Sequence, residues 1–368
     1  MESVETKSKI KQLCEFGQSV WLDNISRSLI DSGEFSRLIE LGVTGVTSNP
    51  TIFDKAISGS PDYDRMIKDC KIKGLNTFEI YDELTVKDIQ DTADLFQPIF
   101  QETRGGDGYI SLEVNPLLAH KTEETVREAE RLYKKVNRQN VMFKIPATEN
   151  GFSAGRILLA KGINVNFTLV FSLNQYVNTV DAFLKGAEEF LKSGGDLNNI
   201  ASVASVFVSR IDISVDKLLE ENRGDVNLKG RAAVANSKLI FAKYVELFSD
   251  EKFLKLESKG LRKQRALWAS TSTKNPNYND IKYVTELIGK ETINTMPPST
   301  IEAFLNHGII ESTLSPDTSE AKKVINALEK FNIDIISVCD KLLKYGIVAF
   351  ENSFASLLKS IELKRNSL

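Results

Sequence analysis

Short apolar runs rich in β-branched residues alternate along the chain with longer amphipathic stretches. Strands that alternate with helices are typical of βαβ units and a parallel sheet. The runs predicted as strands are 19–24, 42–49, 109–114, 141–146, 164–170, 204–209, 265–270 and 292–296. Eight units in one chain favour an α/β fold of the closed (β/α)8 TIM-barrel type. A doubly wound open sheet is the alternative.

The stretches between the strands carry helix signals. Segment 121–136 has acidic residues early and basic residues late, as the helix dipole favours. Segment 173–195 ends at Gly194 and Gly195, a plausible helix stop. The 368 residues of the chain exceed the roughly 250 of a plain barrel. We assign the excess to extra helices at both ends (3–18 and 316–363) and to insertions at 54–106 and 211–262. No linker is evident, so 1–368 is predicted to be a single domain.

Composition narrows the function classes. With 47 basic and 50 acidic side chains the net charge is -3, which argues against a nucleic-acid partner. Cys14, Cys70 and Cys339 lie far apart, which favours a reducing compartment. His120 and His307 scarcely suffice for a catalytic zinc site, which usually has about three protein ligands. No signal peptide or apolar membrane span is evident, so we expect a cytoplasmic protein.

The active site of a barrel forms at the C-terminal ends of its strands. Lys144 lies in the apolar run VMFKIPAT, although an unpaired lysine is rarely buried. Burial favours the neutral, nucleophilic amine, which can attack a ketone and form a Schiff base. The alternative is a structural lysine paired with a carboxylate.

Asp23 and Glu113 also lie in apolar runs, each in a different predicted unit. Two carboxylates and a threonine can move the protons of a Schiff-base cycle and position water. Arg210 follows the run 204–209 and suits a phosphate, for which neighbouring serines offer hydroxyl donors. Singly, each carboxylate could instead be an ion-pair partner or a helix cap, and Arg210 a surface residue.

Several segments in order resemble the transaldolases, over roughly residues 18–310. They are QSVWLDNISR, GVTGVTSNPTIF, SLEVNP, VMFKIPAT, INVNFTLVFS, SVFVSRID and LWASTSTKNP. The length is similar to that of the longer bacterial-type members. The resemblance implies transfer of a three-carbon ketol unit between sugar phosphates, a Schiff-base lysine on the fourth strand, and no metal or organic cofactor.

The resemblance also implies a role for each site residue. Lys144 would form the Schiff base, Glu113 and Thr168 would hold and activate the catalytic water, and Asp23 would be the acid/base at the C4 hydroxyl. The implied substrate-binding residues are Asn49 and Asn166 for hydroxyls, Ser205 for the intermediate near C1, and Arg210 with Ser270 for the phosphate.

One position departs from the family's pattern. Many transaldolases have an arginine two residues after the serine that matches Ser270, and this chain has Ser272 there. Lys274 could supply the missing charge, or it could be a solvated loop lysine.

Three rival functions remain open at this stage. They are an aldolase that releases free dihydroxyacetone, a zinc-dependent aldolase, and a non-catalytic barrel that binds a sugar phosphate or a protein. We expect a monomer or a homodimer.

Overall fold

The computed structural model describes residues 7–368. Eight parallel strands form one closed barrel in chain order, and β8 pairs with β1. The strands are β1 Gln18–Leu22, β2 Val43–Thr47, β3 Ile110–Glu113, β4 Val141–Pro146, β5 Val165–Val170, β6 Ser202–Phe207, β7 Arg265–Ala269 and β8 Thr292–Met296. The (β/α)8 barrel is therefore confirmed, and the open sheet is wrong.

Helices surround the barrel and extend the chain at both ends of the described range. They are α1 Lys9–Phe16, α2 Arg27–Asp31, α3 Glu34–Glu40, α4 Pro50–Gly59, α5 Asp64–Ile72, α6 Thr77–Glu102, α7 Thr122–Val136, α8 Glu149–Leu159, α9 Leu173–Lys192, α10 Ser209–Glu221, α11 Ala232–Leu247, α12 Glu251–Glu257, α13 Lys282–Thr285, α14 Pro298–His307, α15 Ser319–Glu329 and α16 Ile335–Ser367. Short 3-10 turns lie at Pro61–Tyr63, Pro116–Leu118, Leu197–Asn199 and Val226–Leu228. None of the helices in residues 7–368 combines the length and the apolar character that crossing a membrane requires.

Several predicted boundaries are displaced in the structure. Strand β6 ends at Phe207 rather than at residue 209, because Ser209 already begins α10. Strand β2 ends at Thr47, because the side-chain oxygen of Asn49 caps α4. The leading helix is shorter than 3–18, and residues 3–6 of that prediction lie outside the described range.

The two predicted insertions are only partly insertions. Helix α6, within 54–106, packs against β2, β3 and α7, so it belongs to the barrel wall. Helix α11, within 211–262, packs beside α9. Parallel neighbours need a long crossover, which these helices supply.

Helix α16 crosses the C-terminal end of the barrel. Its 33 residues correspond to about 50 Å. It packs on α4, α10, β5 and the turn after β3. Polar pairs with the α4–α5 region join Ser353 to Thr51 Oγ1 at 2.7 Å, Ser360 to Asp54 Oδ1 at 3.1 Å and Lys364 to Asp64 Oδ1 at 2.8 Å. The helix therefore forms a wall of the barrel mouth.

Candidate active site

A cleft of about 540 Å³ opens at the C-terminal end of the barrel. Eight of the ten predicted site residues line it: Asp23, Asn49, Lys144, Thr168, Ser205, Arg210, Ser270 and Lys274. Glu113 and Asn166 lie behind this lining, in contact with Lys144 and Ser205. The fold thus brings all ten predicted residues to one place.

Lys144 is buried at the base of the cleft, with 4% of its surface exposed. Its Nζ donates to the backbone oxygen of Ser48 at 2.9 Å and lies 3.3 Å from Oε2 of Glu113. The strand register pairs Lys144 with Glu113 on β3 and with Asn166 on β5. Because directly paired positions share one face of a sheet, these three polar side chains form a row.

Glu113 and Thr168 have buried polar atoms with no hydrogen-bond partner among the described residues: both carboxyl oxygens of Glu113 and Oγ1 of Thr168. The 3.3 Å approach of Lys144 Nζ to Glu113 Oε2 therefore lacks the geometry of a hydrogen bond. Burial raises the pKa of Glu113, and the nearby Lys144 opposes that rise. A buried polar group without a partner needs explaining, and a bound polar ligand is one explanation.

The backbone beside Thr168 is irregular. Leu169 has φ +57°, and the β5–β6 register shifts between Phe167 and Val170. Such left-handed, bulged positions are unfavourable for a branched residue, and they re-aim side chains near functional sites. Here the irregularity lies next to the hydroxyl of Thr168, which has no partner within residues 7–368.

Asp23 follows β1 directly and faces the same cleft. Its Oδ1 accepts a hydrogen bond from Thr47 Oγ1 at 2.7 Å, and Thr47 in turn is 2.7 Å from Thr295 Oγ1. Burial raises the pKa of Asp23, while Lys144, the Thr47 hydrogen bond and Lys274 oppose that rise. Asp23 is therefore poised to accept and release a proton at a higher pH than an exposed aspartate.

The two predicted amides are held differently. Asn166 is fully buried, donates from Nδ2 to Ser111 Oγ at 3.0 Å and accepts from Ser205 Oγ at 2.7 Å. Asn49 is half-exposed, and its Oδ1 accepts from the backbone amide of Ile52 at 3.0 Å. Asn166 is thus oriented by serines on two other strands, β3 and β6, whereas Asn49 is oriented by the helix that it caps.

The β6–β7 side of the cleft has the character of an anion site. Arg210, in the first turn of α10, lies 5.6 Å from the ring of Phe207, and burial lowers its pKa. Ser270 has φ +55°. Its Oγ lies 2.9 Å from Oγ of Ser209. Lys274 donates to Ser272 Oγ at 2.6 Å. Two cations beside several hydroxyls match the donors that bind a phosphate.

Sequence reasoning missed several lining residues. Thr47 and Thr295 stand at or near strand ends and could have been found there. Lys55 and Phe350 come from helices α4 and α16. The ring of Phe350 lies 5.9 Å from Lys144 Nζ. No local pattern marks these helical residues, because only long-range packing brings them to the cleft.

The family model described as Transaldolase/Fructose-6-phosphate aldolase matches residues 20–361. The chain belongs to this family. A protein named Transaldolase 2 from a Nostoc species is 44% identical over 367 residues, covering 96% of both chains. The protein named Transaldolase from Saccharopolyspora erythraea is 44% identical over 358 residues, covering 97% of both. The one from Trichodesmium erythraeum is 43% identical over 365 residues, with 96% of both covered.

The resemblance to the transaldolases is therefore confirmed. The lysine that this resemblance assigned to the fourth strand lies on β4. The roles of the individual side chains stay predictions.

Proposed function

We propose that this protein transfers a dihydroxyacetone unit from a ketose phosphate to an aldose phosphate through a Schiff base on Lys144. The donors are sedoheptulose 7-phosphate or fructose 6-phosphate, and the acceptors are glyceraldehyde 3-phosphate or erythrose 4-phosphate, as in the non-oxidative pentose phosphate pathway. The observation that carries the proposal is a buried lysine in contact with Glu113, in a cleft that also contains Asp23 and Arg210.

The first step is attack of the Lys144 amine on the ketone carbon of the donor. The carbinolamine then loses water, and Glu113 supplies the proton that the leaving hydroxyl needs. The raised pKa of Glu113 supports this role, because it favours the protonated carboxyl that the step consumes. Thr168 and Glu113 have polar atoms that no group in the described part of the chain pairs, and these atoms suit the departing water.

In the second step Asp23 takes the proton of the C4 hydroxyl and the C3–C4 bond breaks. The electron pair of that bond moves into the protonated Schiff base and forms an enamine, while an aldose phosphate departs. Thr47, through its hydrogen bond, orients Asp23 for this transfer. The enamine carbon then attacks the aldehyde of the incoming aldose phosphate, and Asp23 returns the proton to the new hydroxyl. Water hydrolyses the new Schiff base, which releases the product ketose phosphate and restores the Lys144 amine. Covalent capture of this kind predicts ping-pong kinetics.

Binding and chemistry are divided across the cleft. Asn49, Asn166 and Ser205 hydrogen-bond the hydroxyls of the three-carbon unit. Arg210 and Ser270 bind the phosphate, and Lys274 takes the place of the family's second arginine. Its contact with Ser272 supports this assignment, since both side chains line the same part of the cleft.

The nearest rival is an aldolase that releases free dihydroxyacetone, an activity that the family's description also includes. The two activities differ in whether turnover needs an acceptor aldose. The curated relatives reported above, matched over nearly their whole length, are named transaldolases, which favours transfer.

Borohydride trapping tests the proposal. The protein is incubated with fructose 6-phosphate, reduced and digested, and the modified peptide is identified by mass spectrometry. We expect a dihydroxyacetone-sized adduct on Lys144 and none in a Lys144→Met variant. Absence of an adduct, under conditions that label a control Schiff-base enzyme, would point to a non-catalytic relative.

The proposed assembly is a monomer or a homodimer. Sedimentation equilibrium of the full chain would distinguish the two.

A further inference from the structure

Helix α16 inserts one aromatic side chain beside the proposed nucleophile. Phe350 lines the cleft, is 4% exposed, and has its ring centre 5.9 Å from Lys144 Nζ. It is not part of the set of polar residues that the chemistry described above requires.

The backbone of α16 is held close to the barrel on both sides of Phe350. One turn before it, Gly346 passes so near β5 that a Cβ there would lie 2.9 Å from a methyl of Leu169. About one turn after it, Ser353 hydrogen-bonds Thr51 at 2.7 Å. The ring therefore cannot leave the cleft by a small displacement of the helix.

We propose that Phe350 keeps bulk water from protonating the enamine on Lys144 and thereby makes transfer prevail over release of free dihydroxyacetone. The inference rests on the proposed function. The enamine on Lys144 has two fates. Its carbon can attack an acceptor aldehyde, which forms the new C–C bond. Alternatively the carbon takes a proton from water. Hydrolysis of the iminium ends both routes: it releases the product ketose phosphate after C–C bond formation and free dihydroxyacetone after protonation.

The surroundings of Lys144 explain why this one side chain matters. Nζ is already engaged by the carbonyl of Ser48 and the carboxylate of Glu113. The phenyl ring offers water no hydrogen-bond partner on its own side. Removing the ring would leave room beside polar atoms, which is the kind of site that water enters. Closed sites limit side reactions of reactive intermediates, including unwanted proton transfer from water.

The test is a size series at one position: Phe350→Leu, Phe350→Val and Phe350→Ala. The measured quantity is free dihydroxyacetone released per unit transferred, with fructose 6-phosphate as donor and erythrose 4-phosphate as acceptor. We expect little change for leucine, a rise for valine, and a rise on the order of tenfold for alanine. If the alanine variant does not fold, the valine variant supplies the result.

Phe354→Ala is the matched control. Phe354 lies one turn further along α16, is 1% exposed, and packs on Tyr81 and Phe78 with ring centres 5.1 and 6.5 Å away. Its truncation also removes a buried ring from α16, but outside the cleft. We expect lower stability and an unchanged ratio of release to transfer.

The outcomes separate this inference from the proposed function. If the ratio of dihydroxyacetone released to unit transferred is the same in all three variants, and the Lys144 adduct is still trapped, only the role of Phe350 is overturned. A leucine variant that releases as much free dihydroxyacetone as the alanine variant would also overturn this role, because leucine still fills the space. A wild-type protein that forms no adduct, or that releases dihydroxyacetone without needing an acceptor, would contradict the proposed function itself.

Discussion

The barrel contains a cluster of charged side chains at each end, and the two clusters differ in how completely they are paired. At the N-terminal end, Asp107 Oδ1 accepts from Trp21 Nε1 at 2.7 Å and from the amide of Gly108 at 3.1 Å. Its Oδ2 accepts from Ser19 and lies 3.4 Å from Arg265. Arg265 also donates to Ser19 Oγ at 2.7 Å.

At the C-terminal end the pairing is incomplete. Glu113 has a charge contact with Lys144 but no hydrogen-bond partner within the described residues, and the Thr168 hydroxyl is also unpartnered. A saturated cluster stabilises a fold, whereas an unsaturated one keeps its polar atoms available to a ligand. The comparison agrees with the general division of barrels into a structural and a catalytic face.

The largest expected effect is at the unsaturated end. Lys144→Met removes the amine that we propose as the Schiff-base nucleophile, and we expect kcat to fall by roughly 10⁴-fold or more. Steady-state assays of the transfer reaction measure this kcat. Lys55→Met is the control, because Lys55 also lines the cleft but takes no part in the proposed covalent step. Residual activity in Lys144→Met that approaches wild type would show that another group carries the chemistry.

The next effect concerns Asp23, which in the proposed mechanism acts as a base and must be ionised. Its pKa lies above the ordinary 3.8, so activity should be lost as the pH falls through that raised value. Asp23→Asn should lower kcat by about 10²- to 10⁴-fold. Thr47→Val removes a hydrogen bond that favours the ionised form of Asp23. The loss of kcat at low pH should therefore begin at a higher pH in this variant. If the pH at which activity is lost is the same in Thr47→Val as in the wild type, a group other than Asp23 causes that loss.

At the saturated end the effect should fall on stability. Asp107→Asn leaves Arg265 without its charge partner in a largely buried setting. We expect the free energy of unfolding to drop by about 3 kcal/mol, measured by urea denaturation, with kcat nearly unchanged. A large loss of kcat in the folded variant would break the distinction between the two ends.

The smallest expected effect is at the phosphate side of the cleft. Lys274→Met should raise the KM for phosphorylated substrates about tenfold, since charge-assisted hydrogen bonds contribute about 1.5–3 kcal/mol and this lysine is exposed. Adding Ser272→Arg to that variant should restore binding, because it recreates the family's arginine. Failure of the double variant to recover would mean that Lys274 does not substitute for that arginine.

The fold could be predicted from the sequence to a large extent. All eight strands were found, because a strand in a parallel barrel reads locally as an apolar, β-branched run. Their ends were less accurate. The predicted ends of β2 and β6 lie two residues beyond the observed ends. The reason is that the cap of α4 and the first residue of α10 each follow two residues after the last paired position of the strand before them.

The sequence by itself also determined which polar residues meet in the site. Lys144, Glu113 and Asp23 interrupt or directly follow apolar strands, and the barrel topology brings equivalent ends of its strands together. Closure of the barrel in chain order is thus enough to assemble these groups.

Only the tertiary structure decided the rest. The position of Phe350 against Lys144, the contribution of Lys55 and the pairing of Asp107 with Arg265 each join distant parts of the chain. The periodic pattern of apolar residues indicates which face of a helix or strand is buried, but it does not indicate which other element covers that face. That choice is made by side-chain packing and by polar contacts such as those between α16 and α4, which exist only once both helices are in place.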